Sequence, residues 1–513
     1  MIFNASAWIN VPAKRYPDHT CIVYKDQSFT YSEINERANR LAWGLINLGF
    51  VKGTRVACLQ YNSNYSFELF LGMWKAGIVM VPLNTRDSLI QNIDILKDSE
   101  ATAIIFGSEF LDQVSRIRET LPAIEHFICH GDPNNISIDY ESMLTESDSL
   151  EPNIDLDEND IYKIHYTSGT TGKPRGVLMT YRNRKEQITN MFMNTDRLIS
   201  KDEVFLHVAP LTHAAGYYAT PFFLKGAKHI ILDKFETTTL FEIIEKEKVT
   251  CTLLVPTMIV MLLEDVNINN YNLKTLKRIF YGTAPMSVSK LREAISVFGN
   301  IFRQNYGLTE SVQPITHLTP EDHNLNCEEE KIKRIGSAGT IALGVEVEIV
   351  NEEDVELPDG QVGEIILRSP HVSPGYLNLP KIEKNTHRDK WLHTGDLGYK
   401  DQDGYIFIVG RMKDMIISGG FNIYSREVEI VLDSHPDVLE SSVIGVPDEK
   451  WGEVVKAFVA IKKDKKKPKE QELIDFCINK GLTRYKAPKM IKFIESLPKN
   501  ENRKIVKKDL INM

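Results

Sequence analysis

The sequence predicts an α/β protein: a large N-terminal domain of layered αβ sheets finished by a small β region, then a small α+β C-terminal domain. Three observations carry this. Short apolar runs alternate with helical patterns as far as about residue 330. From about residue 334 polar and apolar residues alternate between Gly and Asp turns. At 513 residues the chain is too long for one core.

The elements follow in order. Thr30 to Glu33 reads as a capping box, and Ile34, Ala38, Leu41, Leu45 and Leu48 recur at helical spacing until Gly49 closes the helix. Val56–Leu59, Ile78–Val81 and Ala103–Phe106 are apolar runs of strand length between helical patterns, as buried parallel strands require. Lys228–Leu232 and Cys251–Pro256 repeat the theme around a helix from Leu240 to Lys248. Val345–Val350 and Gly363–Arg368 alternate as antiparallel strands, with turns at Asp359-Gly360 and Asp403-Gly404. A hinge is expected between Gly410 and Asp414, dividing the chain into 1–410 and 411–513. Beyond it Ser425 is expected to cap a helix from Arg426 to Leu432, and Ser442–Gly445 and Ala457–Ile461 read as strands. The lysines from Lys462 to Lys469 read as a solvated loop.

Composition excludes several classes. A net charge of −9 argues against a general nucleic-acid binder. The charge is uneven: residues 411–513 hold 21 Lys+Arg against 16 Asp+Glu, so the small domain is basic beside an acidic large one. The six cysteines lie far apart with no C-x-x-C pair, which indicates neither zinc nor a disulfide framework and suits a reducing cytosol. No signal-peptide pattern opens the chain and no apolar run reaches membrane-spanning length, so a cytoplasmic protein is expected.

The most informative segment runs from Tyr166 to Val177. Thr167, Ser168, Thr170 and Thr171 surround Gly169 and Gly172, followed by Lys173 and Arg175. Small hydroxyl residues and glycines let backbone N–H groups approach a phosphate, and the cations meet its charge. A Walker A loop does not fit, because two residues rather than four separate the glycines and Pro174 stands where the metal-binding hydroxyl belongs.

The segment resembles the phosphate loop of the adenylate-forming enzymes: acyl-CoA synthetases, adenylation domains and luciferases. The resemblance recurs at Tyr306–Glu310, Trp391–Leu397, Gly410–Ile416, Ser418–Tyr424 and Leu497–Lys504, in the family's order and across nearly the whole chain. It implies ATP, Mg2+ and coenzyme A as ligands, a carboxylic acid as substrate, and a small domain that moves between two closed states.

Residue by residue, the resemblance implies the following. Ser168 to Lys173 hold the phosphates; Glu310, with Thr167, coordinates magnesium. Tyr306 stacks on adenine, Asn305 bonds its amino group, and Gly307 and Thr309 complete that turn, Thr309 facing the α-phosphate. Asp396 takes the ribose hydroxyls, and Arg411 lies near ribose and phosphate. Lys504 is the catalytic lysine, Lys413 the hinge, and Gly419 with Gly420 border the thiol tunnel. His213 resembles the acyl-site histidine, with Tyr217 and the Gly282-Thr283-Ala284 turn beside the acid. Arg503 departs from the family, which usually has Gly before this lysine.

The segment around His213 is aromatic, with Tyr217, Tyr218 and Phe222, and offers no cation for a second carboxylate. An apolar acid such as a fatty acid is therefore expected. Val443–Glu453 resembles the acyl-CoA synthetases, so an acid–CoA ligase leads. An enzyme loading an acyl carrier protein is the alternative, and Arg503 alone favours a nucleotide-binding pseudo-enzyme. The oligomeric state stays open, a homodimer among the choices.

Overall fold

The computed structural model describes residues 5–133, 135–167, 174–195, 197–463, 465–499, 505–511 and 513. Ser168–Lys173, Arg503 and Lys504 therefore lie outside the described residues.

The anticipated local signals become elements. Thr30 accepts from the Glu33 amide while the Glu33 carboxylate takes the Thr30 N–H at 2.7 Å, opening the helix Tyr31–Asn47. Gly49 ends it at φ +90°. The apolar face of this helix packs on the helix Asn64–Ala76, with Leu41 and Leu45 fully buried.

The runs Arg55–Leu59, Val79–Pro82 and Ala103–Gly107 are parallel neighbours in a seven-stranded sheet. Both faces of that sheet are covered, which is why its strands carry no polar alternation. Its far side ends in Ile161–Thr167 and Arg175–Thr180, an antiparallel pair with Thr167 opposite Arg175.

A second sheet has fourteen strands. Its parallel part places Phe302–Tyr306 beside Arg278–Gly282, then Cys251–Leu254, Val204–His207, Lys228–Ile231 and Thr20–Tyr24. The antiparallel region is not a separate layer. It continues this sheet from Phe302–Tyr306 through Thr316–Leu318, Gly339–Ile341, Tyr405–Arg411, Trp391–Lys400 and Gly363–Arg368. Antiparallel pairing thus begins at Thr316, earlier than the change of texture near 334, because Thr316–Leu318 is only three residues long and shows no period.

The small domain has its own core. A five-stranded sheet contains the hairpin Val438–Asp448 and Gly452–Ile461, covered by the helices Ser425–Asp433 and Glu470–Asn479. Ser425 differs from expectation: Tyr424 is the cap, and Ser425 is the first helical residue. Its hydroxyl accepts from Lys507 Nζ at 2.7 Å, tying the start of this helix to the C-terminal segment.

Gly339 opens the strand Gly339–Ile341 in the antiparallel part of this sheet. It sits at φ +98°, and a Cβ there would lie 2.0 Å from the His317 carbonyl oxygen. Gly339→Ala should therefore destabilise the protein by roughly 2 kcal/mol or more. Urea denaturation checks this; an unchanged midpoint would show that this position tolerates a side chain.

Candidate active site

In open α/β sheets the carboxyl ends of parallel strands face a shared crevice. Three such ends carry the sequence's candidates. Gly282 ends one strand, with Asn305 as its register partner on the next, and Tyr306 ends that neighbour. His213 follows the strand Val204–His207 and stands at the N-cap of the helix Ala214–Leu224. Residues separated by some ninety positions in the chain are brought together because their strands run the same way.

Close packing marks this crevice. A Cβ on Gly282 would lie 2.4 Å from the Asn305 carbonyl oxygen, so only Gly allows the strand ends to meet. Thr283 then takes φ +65°, unusual for a β-branched residue, and its buried hydroxyl has no hydrogen-bond partner in the structure. Asn305 donates from Nδ2 to the Tyr218 hydroxyl at 2.9 Å, which fixes its amide, while its buried Oδ1 has no partner. An acceptor held in this way fits a purine amino group.

Asp396 ties the two halves of the sheet together. Its Oδ2 accepts from the Tyr306 hydroxyl at 2.7 Å, and its Oδ1 lies 2.9 Å from Arg411 Nε. Asp396 and Arg411 are cross-strand register partners. Burial pushes the Tyr306 phenol well above its usual range, and the Asp396 charge holds the Arg411 guanidinium further up. An ionised carboxylate is the kind of acceptor that suits ribose hydroxyls.

Glu310 is fixed by the loop that follows the strand Gly363–Arg368. Its Oε1 accepts from the Tyr376 hydroxyl at 2.7 Å, and its carbonyl accepts from the Ser373 amide at 2.7 Å. Tyr376 itself bridges to Val177 on the strand Arg175–Thr180. Sequence reading missed Tyr376, which lies in none of the motifs the sequence presents. Thr167 closes its strand opposite Arg175, at the mouth of the segment 168–173. A carboxylate and a hydroxyl are hard donors that suit magnesium completed by phosphate oxygens and water. No group of three or more His, Cys, Asp or Glu that could hold a metal by itself occurs among the described residues.

Beside His213 opens a cavity that is partly open to solvent. Phe67, Phe70, Trp74, Tyr162, Tyr217 and Phe223 supply its apolar walls. His213 Nδ1 lies 3.0 Å from Thr212 Oγ1, and its ring meets the His165 ring edge-on at 4.7 Å. Gly282, Thr283 and Ala284 are not on these walls, and Tyr218 and Phe222 pack into the core behind them. The segment around His213 has no cation, as expected, but the cavity it borders does, which corrects the inference of a purely apolar space. Lys163 and Arg184 line it, from the strand Ile161–Thr167 and the helix Tyr181–Met193. Neither belongs to the aromatic segment around His213. Burial, with Arg184 nearby, lowers the Lys163 ammonium to about 7.

In the small domain, Met412–Asp414 is a single tight turn after Arg411, with Lys413 exposed. Gly419 and Gly420 form the turn between two short strands at φ +58° and +81°. The lysines that crowd Lys504 in sequence have structural work. Lys499 pairs with Glu440 at 2.8 Å, and Lys507 with Glu429 at 2.8 Å.

The layered large domain, the strand-end crevice and the small α+β domain define an adenylate-forming fold. Family comparison agrees: residues 9–377 match the AMP-binding enzyme family, and residues 427–504 match the AMP-binding enzyme C-terminal domain. The chain is 31% identical to the medium/long-chain-fatty-acid–CoA ligase FadD8 of Mycobacterium tuberculosis, over 94% of this chain and 86% of that protein. It is 31% identical to the fatty acid–[acyl-carrier-protein] ligase ScoC of Streptomyces coeruleorubidus, over 97% and 94%. The solved structure of the amide bond synthetase McbA from Marinactinospora thermotolerans superposes with a TM-score of 0.88 at 26% identity, covering 99% of both chains. The chain belongs to the AMP-binding enzyme family, and it is an AMP-forming acid–thiol ligase.

The Asp396 bridge makes a testable claim. Asp396→Ala should weaken ATP binding by about tenfold to a hundredfold, with Asp396→Asn in between, since hydrogen bonds to a charged group are the stronger kind. Calorimetric titration with ATP measures it, and equal affinity in all three proteins would remove Asp396 from the nucleotide site.

Proposed function

We propose that this protein is an ATP-dependent acid–CoA ligase acting through an acyl-adenylate. A carboxylate oxygen of the acid attacks the α-phosphorus of ATP, and pyrophosphate leaves. The CoA sulfur then attacks the acyl carbonyl, AMP leaves, and a thioester remains. The observation that carries this reading is the convergence of His213, Gly282–Ala284 and Asn305–Glu310 on one crevice beside the Asp396–Arg411 pair.

The protein's part is positioning and charge stabilisation. The free Oδ1 of Asn305 receives the adenine amino group, and the Tyr306 ring lies against the base. Asp396 and Arg411 hold the ribose. Ser168, Gly169, Thr170, Thr171, Gly172 and Lys173 wrap the phosphates, and Thr309 faces the α-phosphate. Glu310 and Thr167 hold Mg2+, which supplies charge neutralisation on the triphosphate. Lys504 bridges the acid and the α-phosphate as charge builds. The separate core of the small domain supports a division at 410/411 with a pivot at Lys413. Rotation there exchanges Lys504 for Gly419 and Gly420, which border the path of the thiol.

The apolar walls beside His213 support an acid with an apolar body, a fatty acid in its simplest form. Coenzyme A is the leading acceptor. Likeness to the carrier-protein ligase supports the other thiol, and exposed Phe421 and Trp451 flanking Gly419 and Gly420 offer such a carrier an apolar foothold. Six free cysteines, five of them buried, fit a reducing cytoplasm. No helix among the described residues is long and apolar enough to cross a membrane.

AMP release with a panel of acids, with CoA or with a carrier protein, tests the reading and separates the acceptors. Lys504→Ala should lower adenylate formation by at least about a hundredfold while thioester formation from supplied acyl-adenylate stays near wild type. Equal loss in both halves would refute its role. Lys413→Pro should slow the thioester half more than the adenylate half, because proline fixes the backbone angle a pivot must change. A variant indistinguishable from wild type would place the pivot elsewhere.

A further inference from the structure

The cavity beside His213 contains two cations that the reaction above does not use. Lys163 is 4% exposed and Arg184 3%. Lys163 Nζ and Arg184 Cζ each lie 4.9 Å from the centroid of the same Tyr217 ring, so two elements deliver two basic groups to one aromatic wall.

Their partners in the structure are neutral. Lys163 Nζ donates to the Thr212 carbonyl at 2.7 Å and reaches the Tyr217 hydroxyl at 3.5 Å. Arg184 donates to Gln187 Oε1 at 2.6 Å, to the Gly216 carbonyl at 3.1 Å and to the Thr220 hydroxyl. Its buried Nε has no partner. No carboxylate among the described residues forms an ion pair with either cation.

The same fold treats other enclosed cations differently. Lys75, fully buried, meets Glu151 at 2.5 Å and three asparagine side chains. Arg37 lies between Glu68 and Glu141. Arg278 is buried against carbonyl and aromatic groups, so a single arginine can be housed without a carboxylate. What sets Lys163 and Arg184 apart is that they come as a pair and line an open cavity next to the acyl-site histidine.

We infer that Lys163 and Arg184 form an anion subsite within the acyl cavity, and that the acid activated here carries a second carboxylate besides the one that reacts. This deepens the ligase reading and rests on it. A hydrocarbon tail alone would leave both cations facing carbon. A second carboxylate would accept a charge-assisted hydrogen bond from each, Arg184 offering the planar fork and Lys163 a point charge. Phe67, Phe70, Trp74 and Phe223 would cover the carbon skeleton between the two carboxyl groups. The lowered Lys163 proton affinity accords with a cation whose counter-charge arrives with the ligand.

The experiment uses the full chain with ATP, Mg2+ and CoA, and measures AMP release for matched acids. Hexanoate is compared with adipate, decanoate with sebacate, and 3-phenylpropanoate with its ring-carboxylated counterpart. The diacid of at least one pair should show a kcat/KM about tenfold or more above its partner. Lys163→Met and Arg184→Met should each remove that preference, chiefly through a raised KM for the diacid. Monoacids equal to or better than diacids in every pair would overturn the subsite while leaving the ligase reading intact. AMP release with no acid would overturn the ligase reading and the subsite with it. Should a variant fail to fold, the wild-type pairs decide alone, since they need no substitution.

Discussion

One carboxylate holds the site together. Asp396 receives the Tyr306 hydroxyl on one oxygen and the Arg411 guanidinium on the other. Tyr306 is the last residue of a parallel strand, Asp396 sits on an antiparallel strand, and Arg411 is the last residue before the turn that leads to the small domain. Three parts of the chain with different architectures thus share one ion. Arg411 is about half exposed, so the pair adds little stability on its own account. Its value is geometric: it joins the end of a parallel strand to the strand that leads into the Met412–Asp414 turn.

The wider scaffold supplies direction. Parallel strands deliver their carboxyl ends to one edge, and each end releases a loop free to carry function. Gly282, Asn305 and the segment leading to His213 are functional candidates because of this shared direction. The backbone is tight here, with Thr283 in a left-handed conformation beside a glycine that no other residue could replace. Strain of this kind costs on the order of 1–3 kcal/mol and persists where the surroundings over-determine the position.

Electrostatics divides the site into two regions with different logic. Around Asp396 the charges are paired within the protein. Around Tyr217 two cations are held on neutral groups, and enclosing an ion without a counter-charge costs several kcal/mol even after relaxation. The nucleotide side is complete in itself, whereas the acyl side has an imbalance that a ligand can correct.

Local chemistry was legible in the residues alone. The capping box at Thr30, the buried strands at Val56, Met80 and Ile104, and the ordered motifs from Tyr166 to Lys504 are properties of neighbours in the chain, which sequence spacing records directly. The order of motifs also revealed the family. Tertiary structure alone decided the rest. That Ser425 serves Lys507 instead of capping its helix, that Tyr376 steadies Glu310, and that Lys163 and Arg184 share the Tyr217 wall are facts of packing between distant segments. A lysine in an apolar strand and an arginine on a helix carry no linear mark of a common partner. Their meaning comes from the low dielectric and the closed space that only the folded chain creates.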